Sequence, residues 1–460
     1  MKIFRIRPIR RATPIAFLLH AIIGVALAFS ADFRLELKET AWELRPGLST
    51  SAWTFGGTVP GTPIIVRQGE TVRIEVVNRL PEATNVHWHG LILPVEQDGP
   101  SLSIQPGATH NYEFVANESG TYWYHPHKMP VLNQLDRGLY GSFIVLAPED
   151  ARYSADHTFV LDDWLLDAQG RRLEGTAPGD MERHGNIETV NGKTGPAIAP
   201  LRLVKGELHK LRFINASTAS VHNLSIQDHR FRVTHTDGQA LAQPFLTDSI
   251  KLSPGERIDA ELAATGDPGK SYEIASSRRA SGMVIPVVYG SGNVPVVNSP
   301  FVTPKPRGYT INPNARPDVI LELGSAMARG MGGHGMMGRG STGNMPSMIW
   351  TINGRAHPDT LPIEVPMNKV ITMRVYDRDM MGMMMGHGME HSVHLHGTTF
   401  QVLSVNGRAP AGEVWKDTVS VPTHGYVDLA FVMTNPGDWM LHCHIIDHED
   451  GGMMTVVRAR

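Results

Sequence analysis

The segment His442-Cys443-His444 places the only cysteine of the chain between two histidines. His448 follows the cysteine after five residues and Met453 after ten. A thiolate, two imidazoles and a long, weak thioether are the ligands of a blue-copper electron-transfer site. The segment therefore predicts such a site, provided that a second imidazole comes from elsewhere in the chain.

Strand geometry explains how this one segment can serve two metal sites. Successive side chains of a β-strand point to opposite faces. If residues 442–444 are extended, Cys443 faces one side while His442 and His444 face the other. A copper could then bind the sulfur on one face and further metal ions the imidazoles on the other, with electrons crossing through the covalent bonds of the strand.

The same His-x-His spacing occurs three more times, whereas this composition should produce about one such pair by accident. The further pairs are His87/His89, His125/His127 and His394/His396. His391 lies an odd number of residues from His394, so it points the other way and is the natural second imidazole for Cys443. Eight histidines remain for one shared cluster: His87, His89, His125, His127, His394, His396, His442 and His444.

These four motifs, in this order and framing most of the chain, resemble those of the multicopper oxidases, the family of laccases, bilirubin oxidases and bacterial copper-tolerance oxidases. The resemblance implies four coppers per chain. One type 1 copper takes electrons from the substrate, and one type 2 and two type 3 coppers reduce O₂ to water. Position by position, it implies type 1 ligands His391, Cys443, His448 and Met453, type 2 ligands His87 and His394, and type 3 ligands His89, His125, His127, His396, His442 and His444.

Reduction of O₂ to water consumes protons, for which buried carboxylates beside the cluster are the expected donors. Asp98 follows the His87/His89 strand by a short loop, and Glu449 directly follows His448. Both match positions where copper-tolerance oxidases carry proton-relay acids. We also expect Trp88, Trp123 and Tyr124 to pack around the cluster and fix its imidazoles.

The elements that must position these residues read as strands. Short apolar runs such as 71–77 and 209–214 alternate with polar residues and are separated by frequent turn signals. We predict an all-β fold of three tandem cupredoxin-like Greek-key β-sandwich or barrel domains. Their expected boundaries are 31–150, with the first two histidine pairs, 151–305, a spacer without a copper motif, and 306–460, with the cysteine site and the remaining pairs.

The N-terminus predicts export. A basic start, an apolar run over 15–29 and a plausible cleavage site make residues 1–30 a signal peptide rather than a retained anchor. We therefore expect a periplasmic or secreted protein with no stable membrane insertion after cleavage, and Arg10-Arg11 allows twin-arginine export. A single cysteine excludes an internal disulfide. The net charge of −3 argues against a nucleic-acid partner.

The electron donor is suggested by two Met- and Gly-rich stretches, 327–348 and 380–389. Thioethers are soft ligands that favour Cu(I). We predict Cu(I) as substrate, with Met383, Met384, Met385, Met389 and Glu390 as possible ligands and Asp377 and Asp379 as further acids. Small phenols and aromatic amines are expected as additional donors. Three alternatives stay open: the loop only shields the copper, the chain is a general laccase or Mn(II) oxidase, or it is a metal-free cupredoxin-fold export or division factor.

Overall fold

The computed structural model describes residues 30–175, 182–277, 282–296, 300–307, 309, 311–312, 316–327, 348–379 and 389–460. Over these residues the chain is almost entirely β, and six sheets follow one another along it in three pairs. The predicted all-β class is confirmed. Each pair of sheets encloses an apolar core, as a two-layer architecture requires.

The first domain contains eight strands. They are β1 (Ser30–Arg45), β2 (Leu48–Phe55), β3 (Gly61–Arg67), β4 (Thr71–Asn78), β5 (His87–His89), β6 (Thr109–Val115), β7 (Gly120–His125) and β8 (Gly141–Leu146). Their two sheets run β2-β1-β4-β6 and β3-β8-β7-β5. In β4, Val72, Ile74 and Val76 are buried while the residues between them face outward, which is the predicted alternation.

The second domain contains eleven strands. They are β9 (Ala155–Trp164), β10 (Ile187–Val190), β11 (Leu201–Lys205), β12 (Leu208–Asn215), β13 (His222–Ile226), β14 (Phe231–Thr236), β15 (Gln239–Thr247), β16 (Ser249–Leu252), β17 (Arg257–Ala263), β18 (Ser271–Ser276) and β19 (Val284–Asn293). The sheets run β10-β9-β12-β17-β14-β15 and β11-β19-β18-β13-β16. β12 covers the strand predicted over 209–214.

The third domain also contains eleven strands. They are β20 (Val319–Met327), β21 (Met348–Ile352), β22 (Ile363–Val365), β23 (Ile371–Asp377), β24 (His391–Leu395), β25 (Phe400–Val405), β26 (Trp415–Lys416), β27 (Thr418–Val421), β28 (Tyr426–Phe431), β29 (Gly437–Cys443) and β30 (Met454–Ala459). The sheets run β21-β20-β23-β28-β25-β26 and β22-β30-β29-β24-β27. Strand β24 pairs with β29 so that His394 lies opposite His442.

Helix is confined to short segments among the described residues. They are α1 (Val95–Asp98), α2 (Leu132–Leu135) and α3 (Ile446–Asp450), with 3₁₀ turns at Pro148–Arg152 and Gly195–Ala197. No helix in this part of the chain has the length and apolar character that a membrane crossing needs. Residues 1–29 of the predicted signal peptide lie outside the described residues.

Candidate metal centre

Three side chains converge at the end of β29 and form what we call the cysteine site: His391, Cys443 and His448. The Nδ1 atoms of His448 and His391 lie 3.5 and 3.9 Å from Sγ of Cys443, and 3.1 Å from each other. All three side chains are buried. Met453 is fully buried beside them, and its carbonyl accepts the Cys443 backbone N–H at 3.0 Å.

The cysteine site favours a thiolate. Burial by itself raises the pKa of Cys443, but His448 and His391 outweigh that effect and lower it to about 6. The thiolate is the form of cysteine that binds metal. Because both Nδ1 atoms point at the sulfur, the three donor atoms already surround one common position.

The far side of each imidazole faces a carboxylate. Nε2 of His448 lies 3.0 Å from Glu182, which belongs to the second domain, and Nε2 of His391 lies 3.6 Å from Asp377 at the end of β23. A carboxylate behind a ligand imidazole fixes its tautomer and orientation. The indole of Trp350 covers one face of the His448 ring, at a centroid distance of 3.6 Å.

The eight histidines of the four His-x-His pairs form a second group, the histidine cluster. Ligand atoms of His127, His396 and His442 lie close together, as do those of His89, His125 and His444, and those of His87, His89 and His394. Nε2 of His442 lies 3.1 Å from Nε2 of His396 and 3.2 Å from Nε2 of His127. The first domain supplies four members of the cluster and the third domain the other four.

Strand pairing produces this arrangement. In the first domain β5 and β7 place His87 opposite His125. In the third domain β24 and β29 place His394 opposite His442 and Val393 opposite Cys443. Cys443 therefore faces the cysteine site while its two neighbours face the histidine cluster, as the parity of a strand predicts.

Several ring nitrogens of the cluster are buried without a hydrogen-bond partner among the described residues. Nε2 of His87, Nε2 of His394 and both ring nitrogens of His444 are such atoms. A buried polar atom without a partner costs free energy, so a native site normally supplies one. Burial lowers the pKa of His127 to about 3 and that of His394 to about 4. The imidazoles of His127 and His394 are thus neutral, with lone pairs available, and the residues fit bound metal ions.

Both predicted relay acids border the cluster. Oδ2 of Asp98 lies 2.8 Å from Nδ1 of His396, and its Oδ1 lies 3.3 Å from Nδ1 of His87. Glu449 lies 3.1 Å from Nδ1 of His442 and 3.5 Å from Nε2 of His127. Burial raises the pKa of Glu449, but the imidazoles of His442 and His127 outweigh it and lower the pKa to about 2.

Known proteins share this architecture. Three family models, each described as multicopper oxidase, match residues 36–150, 155–288 and 337–460. The chain belongs to the multicopper oxidase family. The multicopper oxidase MmcO of Mycobacterium tuberculosis is 29% identical over 452 residues, which cover 89% of this chain and 83% of that protein.

Two solved structures extend the comparison. A multicopper oxidase from Pseudomonas thermotolerans has a TM-score of 0.74 and 27% identity, covering 94% of this chain and 100% of its own. A multicopper oxidase from Campylobacter jejuni, described as a metallo-oxidase, has a TM-score of 0.73 and 27% identity, covering 93% of this chain and 90% of its own. These multicopper oxidases have three cupredoxin-like domains.

Family membership fixes the class of chemistry. This multicopper oxidase is an oxidoreductase that uses O₂ as the electron acceptor and four coppers, one type 1, one type 2 and two type 3. The cysteine site offers ligand atoms for one copper, and the triads of the histidine cluster offer them for the other three.

The predicted Cu(I) ligands lie only partly within the described residues. Met383, Met384 and Met385 are outside them. Met389 is partly buried against the core of the third domain. The carboxylate of Glu390 accepts hydrogen bonds from Nζ of Lys251 at 2.7 Å and Oγ of Ser420 at 2.9 Å.

One expectation about the aromatic residues is wrong in part. Trp123 does stack on His125, with centroids 4.3 Å apart. Trp88 and Tyr124 instead lie in the core of the first domain, where the Trp88 ring contacts Tyr112 at 5.1 Å. The reason is strand parity: each sits one residue from a cluster histidine and therefore points to the opposite face.

Sequence reasoning missed the residues that approach the site from other domains. Glu182 and Arg257 come from the second domain, and Asp417 follows β26 in the third. Asp417 lies 3.2 Å from Nε2 of His89. No local motif marks these positions. Glu182 and Arg257 meet their partners only after the domains have docked, and Asp417 contacts His394 of its own domain as well as His89 of the first.

Proposed function

We propose that this multicopper oxidase is a cuprous oxidase with additional activity on small phenols and aromatic amines. The carboxylate of Asp377, 3.6 Å from Nε2 of His391, carries the proposal. Asp377 ends β23, shortly before the Met-rich segment 380–389. A carboxylate and thioethers next to a type 1 imidazole are a suitable docking site for Cu(I). The Campylobacter relative, described as a metallo-oxidase, supports a metal substrate.

The proposed copper ligands follow the observed groups. The cysteine site, completed by Met453, holds the type 1 copper. His89, His125 and His444 hold one type 3 copper, and His127, His396 and His442 hold the other. His87 and His394, whose Nε2 atoms have no partner among the described residues, hold the type 2 copper. When bound, these ions supply one-electron oxidation of the donor and reduction of O₂.

The chain itself provides the electron path. Cys443 is covalently joined to His442 and His444, which belong to the two proposed type 3 groups. Nδ1 of His442 also donates to the Cys443 carbonyl at 3.1 Å, which adds a hydrogen-bonded route. In the net reaction four cuprous ions, one O₂ and four protons give four cupric ions and two water molecules.

Asp98 and Glu449 are proposed to deliver those protons. Each carboxylate touches imidazoles of both the first and the third domain. A positioned acid within hydrogen-bond reach transfers protons efficiently. Of the acids considered for Cu(I), Glu390 is engaged by Lys251 and Ser420, whereas Asp377 accepts two backbone N–H groups and lies next to His391, which makes it our first choice.

We further propose that the protein acts outside the cytoplasm, in the periplasm of a bacterium, where it contributes to copper homeostasis. The predicted signal peptide 1–30 supports this. Cell fractionation and the N-terminal sequence of the mature protein test it. Cleavage near Ala31 is expected, and an intact N-terminus in the cytoplasm would contradict export.

To identify the electron donor, the rates of oxygen uptake with Cu(I), a phenol and Mn(II) are compared, each with and without added Cu(II). Deletion of 380–389 should raise the KM for Cu(I) while sparing the phenol. Asp377→Asn also changes the carboxylate behind His391, so it should slow both donors but raise the KM only for Cu(I). Met433→Leu is the matched control, since Met433 is a buried methionine just beyond the Phe431 end of β28, away from Asp377. If both donors are oxidised unchanged by the deletion variant, the Met-rich segment is not the docking site.

A general laccase or Mn(II) oxidase is the second candidate. Glu182, 3.0 Å from Nε2 of His448, favours an organic donor, because a carboxylate beside this imidazole can accept a phenol proton. Glu182→Gln should then slow phenol oxidation and leave Cu(I) oxidation in place. If Glu182→Gln and Asp377→Asn both oxidise Cu(I), the phenol and Mn(II) at the wild-type rates, neither carboxylate is a donor site.

The visible absorption spectrum distinguishes an oxidase from the third alternative, a metal-free export or division factor. Copper-loaded, oxidised protein should show the intense blue absorption of a thiolate bound to Cu(II), and Cys443→Ser should lack it. A colourless copper-loaded wild type would exclude the oxidase.

A further inference from the structure

Arg257, the first residue of β17 in the second domain, directs its side chain out of its own domain. The guanidinium is fully buried and makes a two-point contact with Asp417 of the third domain, with Nη1 to Oδ1 at 2.6 Å and Nη2 to Oδ2 at 2.5 Å. Its Nε donates to the carbonyl of Thr121 in the first domain at 3.1 Å. One side chain thus connects all three domains.

The acid that receives this guanidinium also contacts two cluster imidazoles. Oδ1 of Asp417 lies 3.2 Å from Nε2 of His89 and 3.4 Å from Nδ1 of His394. The backbone carbonyl oxygen of Asp417 also lies 2.9 Å from Nδ1 of His394. The two rings stack with centroids 3.8 Å apart and an interplanar angle of 17°. Asp417 therefore contacts one imidazole of the first domain, His89, and one of the third domain, His394.

A second acid completes the network behind Asp417. Asp237 accepts the backbone N–H of Arg257 at 2.8 Å and that of Thr418 at 3.2 Å. Lys416 bridges Asp237 at 3.0 Å and Glu256 at 3.2 Å. Buried charges are tolerated when they are paired and hydrogen-bonded, and such a network fixes its members in one arrangement.

The packing at this junction leaves no room for a larger residue. Gly90 follows His89 and has a φ of +90°. A Cβ added there would lie 2.2 Å from Nη2 of Arg257 and 2.7 Å from Oδ2 of Asp417. The first domain thus approaches the Arg257–Asp417 pair at a glycine, directly beside a cluster histidine.

We propose that Arg257 is a positioning residue for the histidine cluster, acting through Asp417 on His394, a proposed type 2 ligand, and on His89, a proposed type 3 ligand. The second domain, which contributes no histidine to the cluster among the described residues, is on this view more than a spacer. A two-point guanidinium–carboxylate pair sets the rotation of the Asp417 side chain, and Asp417 sets the tautomer and tilt of both imidazoles. The inference rests on the ligand assignment proposed above.

The simpler interpretation is that Arg257 only joins the domains. Arg212 provides the matched control for it. This arginine is also fully buried in the second domain, pairs with Asp156 at 2.7 Å and Asp259 at 3.3 Å, and donates to Thr121 Oγ1 of the first domain at 2.9 Å. The structure gives Arg212 no contact with a cluster imidazole among the described residues.

The experiment compares copper-loaded wild type, Arg257→Gln, Arg257→Lys and Arg212→Gln by copper content, type 2 electron paramagnetic resonance and blue absorption. Arg257→Gln should lose type 2 copper and bring the total from four toward three per chain, with roughly 10- to 100-fold weaker binding at that position. The blue absorption should stay. Arg257→Lys keeps the charge without the two-point geometry, so it should bind copper with an altered type 2 spectrum.

Arg212→Gln should be destabilised but keep the wild-type type 2 spectrum. A wild-type spectrum and full copper content in Arg257→Gln would overturn the proposal, as would the same spectral change in Arg212→Gln. If Arg257→Gln does not fold, Arg257→Lys decides alone: an unaltered type 2 spectrum overturns the proposal. A wild-type protein without any type 2 signal would instead overturn the ligand assignment of the proposed function.

Discussion

The indole of Trp350 stacks on the imidazole of His448, with ring centroids 3.6 Å apart and planes inclined by 25°. Trp350 is 2% exposed and lies on β21, while His448 lies on α3. The contact fills one face of a proposed type 1 ligand with a rigid aromatic surface.

Removal of this indole should loosen the cysteine site. We expect Trp350→Ala to lower the free energy of unfolding by about 3–5 kcal/mol, the usual cost of truncating a buried tryptophan. The type 1 resonance should broaden because the His448 ring gains freedom. Trp350→Phe retains an aromatic face and should lie between wild type and Trp350→Ala. Denaturant unfolding and low-temperature spectra measure both effects, and identical spectra in all three proteins would contradict the positioning role.

Glu449→Gln should slow reduction of O₂ without slowing reduction of the type 1 copper. The amide keeps the shape of the side chain but cannot take up a proton and pass it on, so turnover should fall on the order of 100-fold or more. Bleaching of the blue absorption by donor under anaerobic conditions should be unchanged. Asp447→Asn is the control, because Asp447 lies on the same helix but accepts from the Arg183 backbone instead. An equal loss in both variants would argue against a relay.

The pH dependence of stability should include a contribution from His235, which is remote from the cysteine site and contacts Thr234 Oγ1 at 2.9 Å. Burial, together with nearby Lys210, lowers the pKa of His235 from 6.5 to about 3. Between pH 6.5 and about pH 3, His235 is therefore protonated in the unfolded chain but not in the folded chain. Stability from this source is complete above pH 6.5 and is lost as the pH falls toward 3.

His235→Gln should accordingly flatten the decline of the unfolding temperature between those pH values. Differential scanning calorimetry of both proteins across the range measures it. A parallel decline in wild type and variant would show that other groups control the acid sensitivity.

Removal of copper should lower the unfolding temperature, because the metal ions link the first and third domains. The cluster draws four histidines from each, and metal that binds only the folded state stabilises it by about 4 kcal/mol when its concentration is a thousand times the dissociation constant. Calorimetry of copper-loaded and chelated protein checks this, with His235→Gln expected to show the full shift. A chelated protein that melts unchanged would show that the domain contacts suffice without metal.

Much of the site followed from local rules. Histidine spacing and strand parity predicted which side chains share a face, and the separation of Cys443 from His442 follows from β29, which ends at Cys443. The same parity rule accounts for Trp88 and Tyr124, which each lie one residue from a cluster histidine and point into the core of the first domain. Arg257 and Glu182 could not be found in this way, since the docking of separate domains brings them to their partners. Asp417 has no motif spacing to either His89 or His394 that could mark it.

The distribution of the cluster histidines over the chain also determines when, during synthesis and folding, the cluster can form. His87 is made early, whereas His442 and His444 lie close to the C-terminus. A ribosome must release essentially the whole chain, and the first and third domains must meet, before all eight imidazoles exist in one place. Chains that end before His444 therefore lack an oxygen-reducing centre, so that reactive chemistry with O₂ begins only in finished molecules.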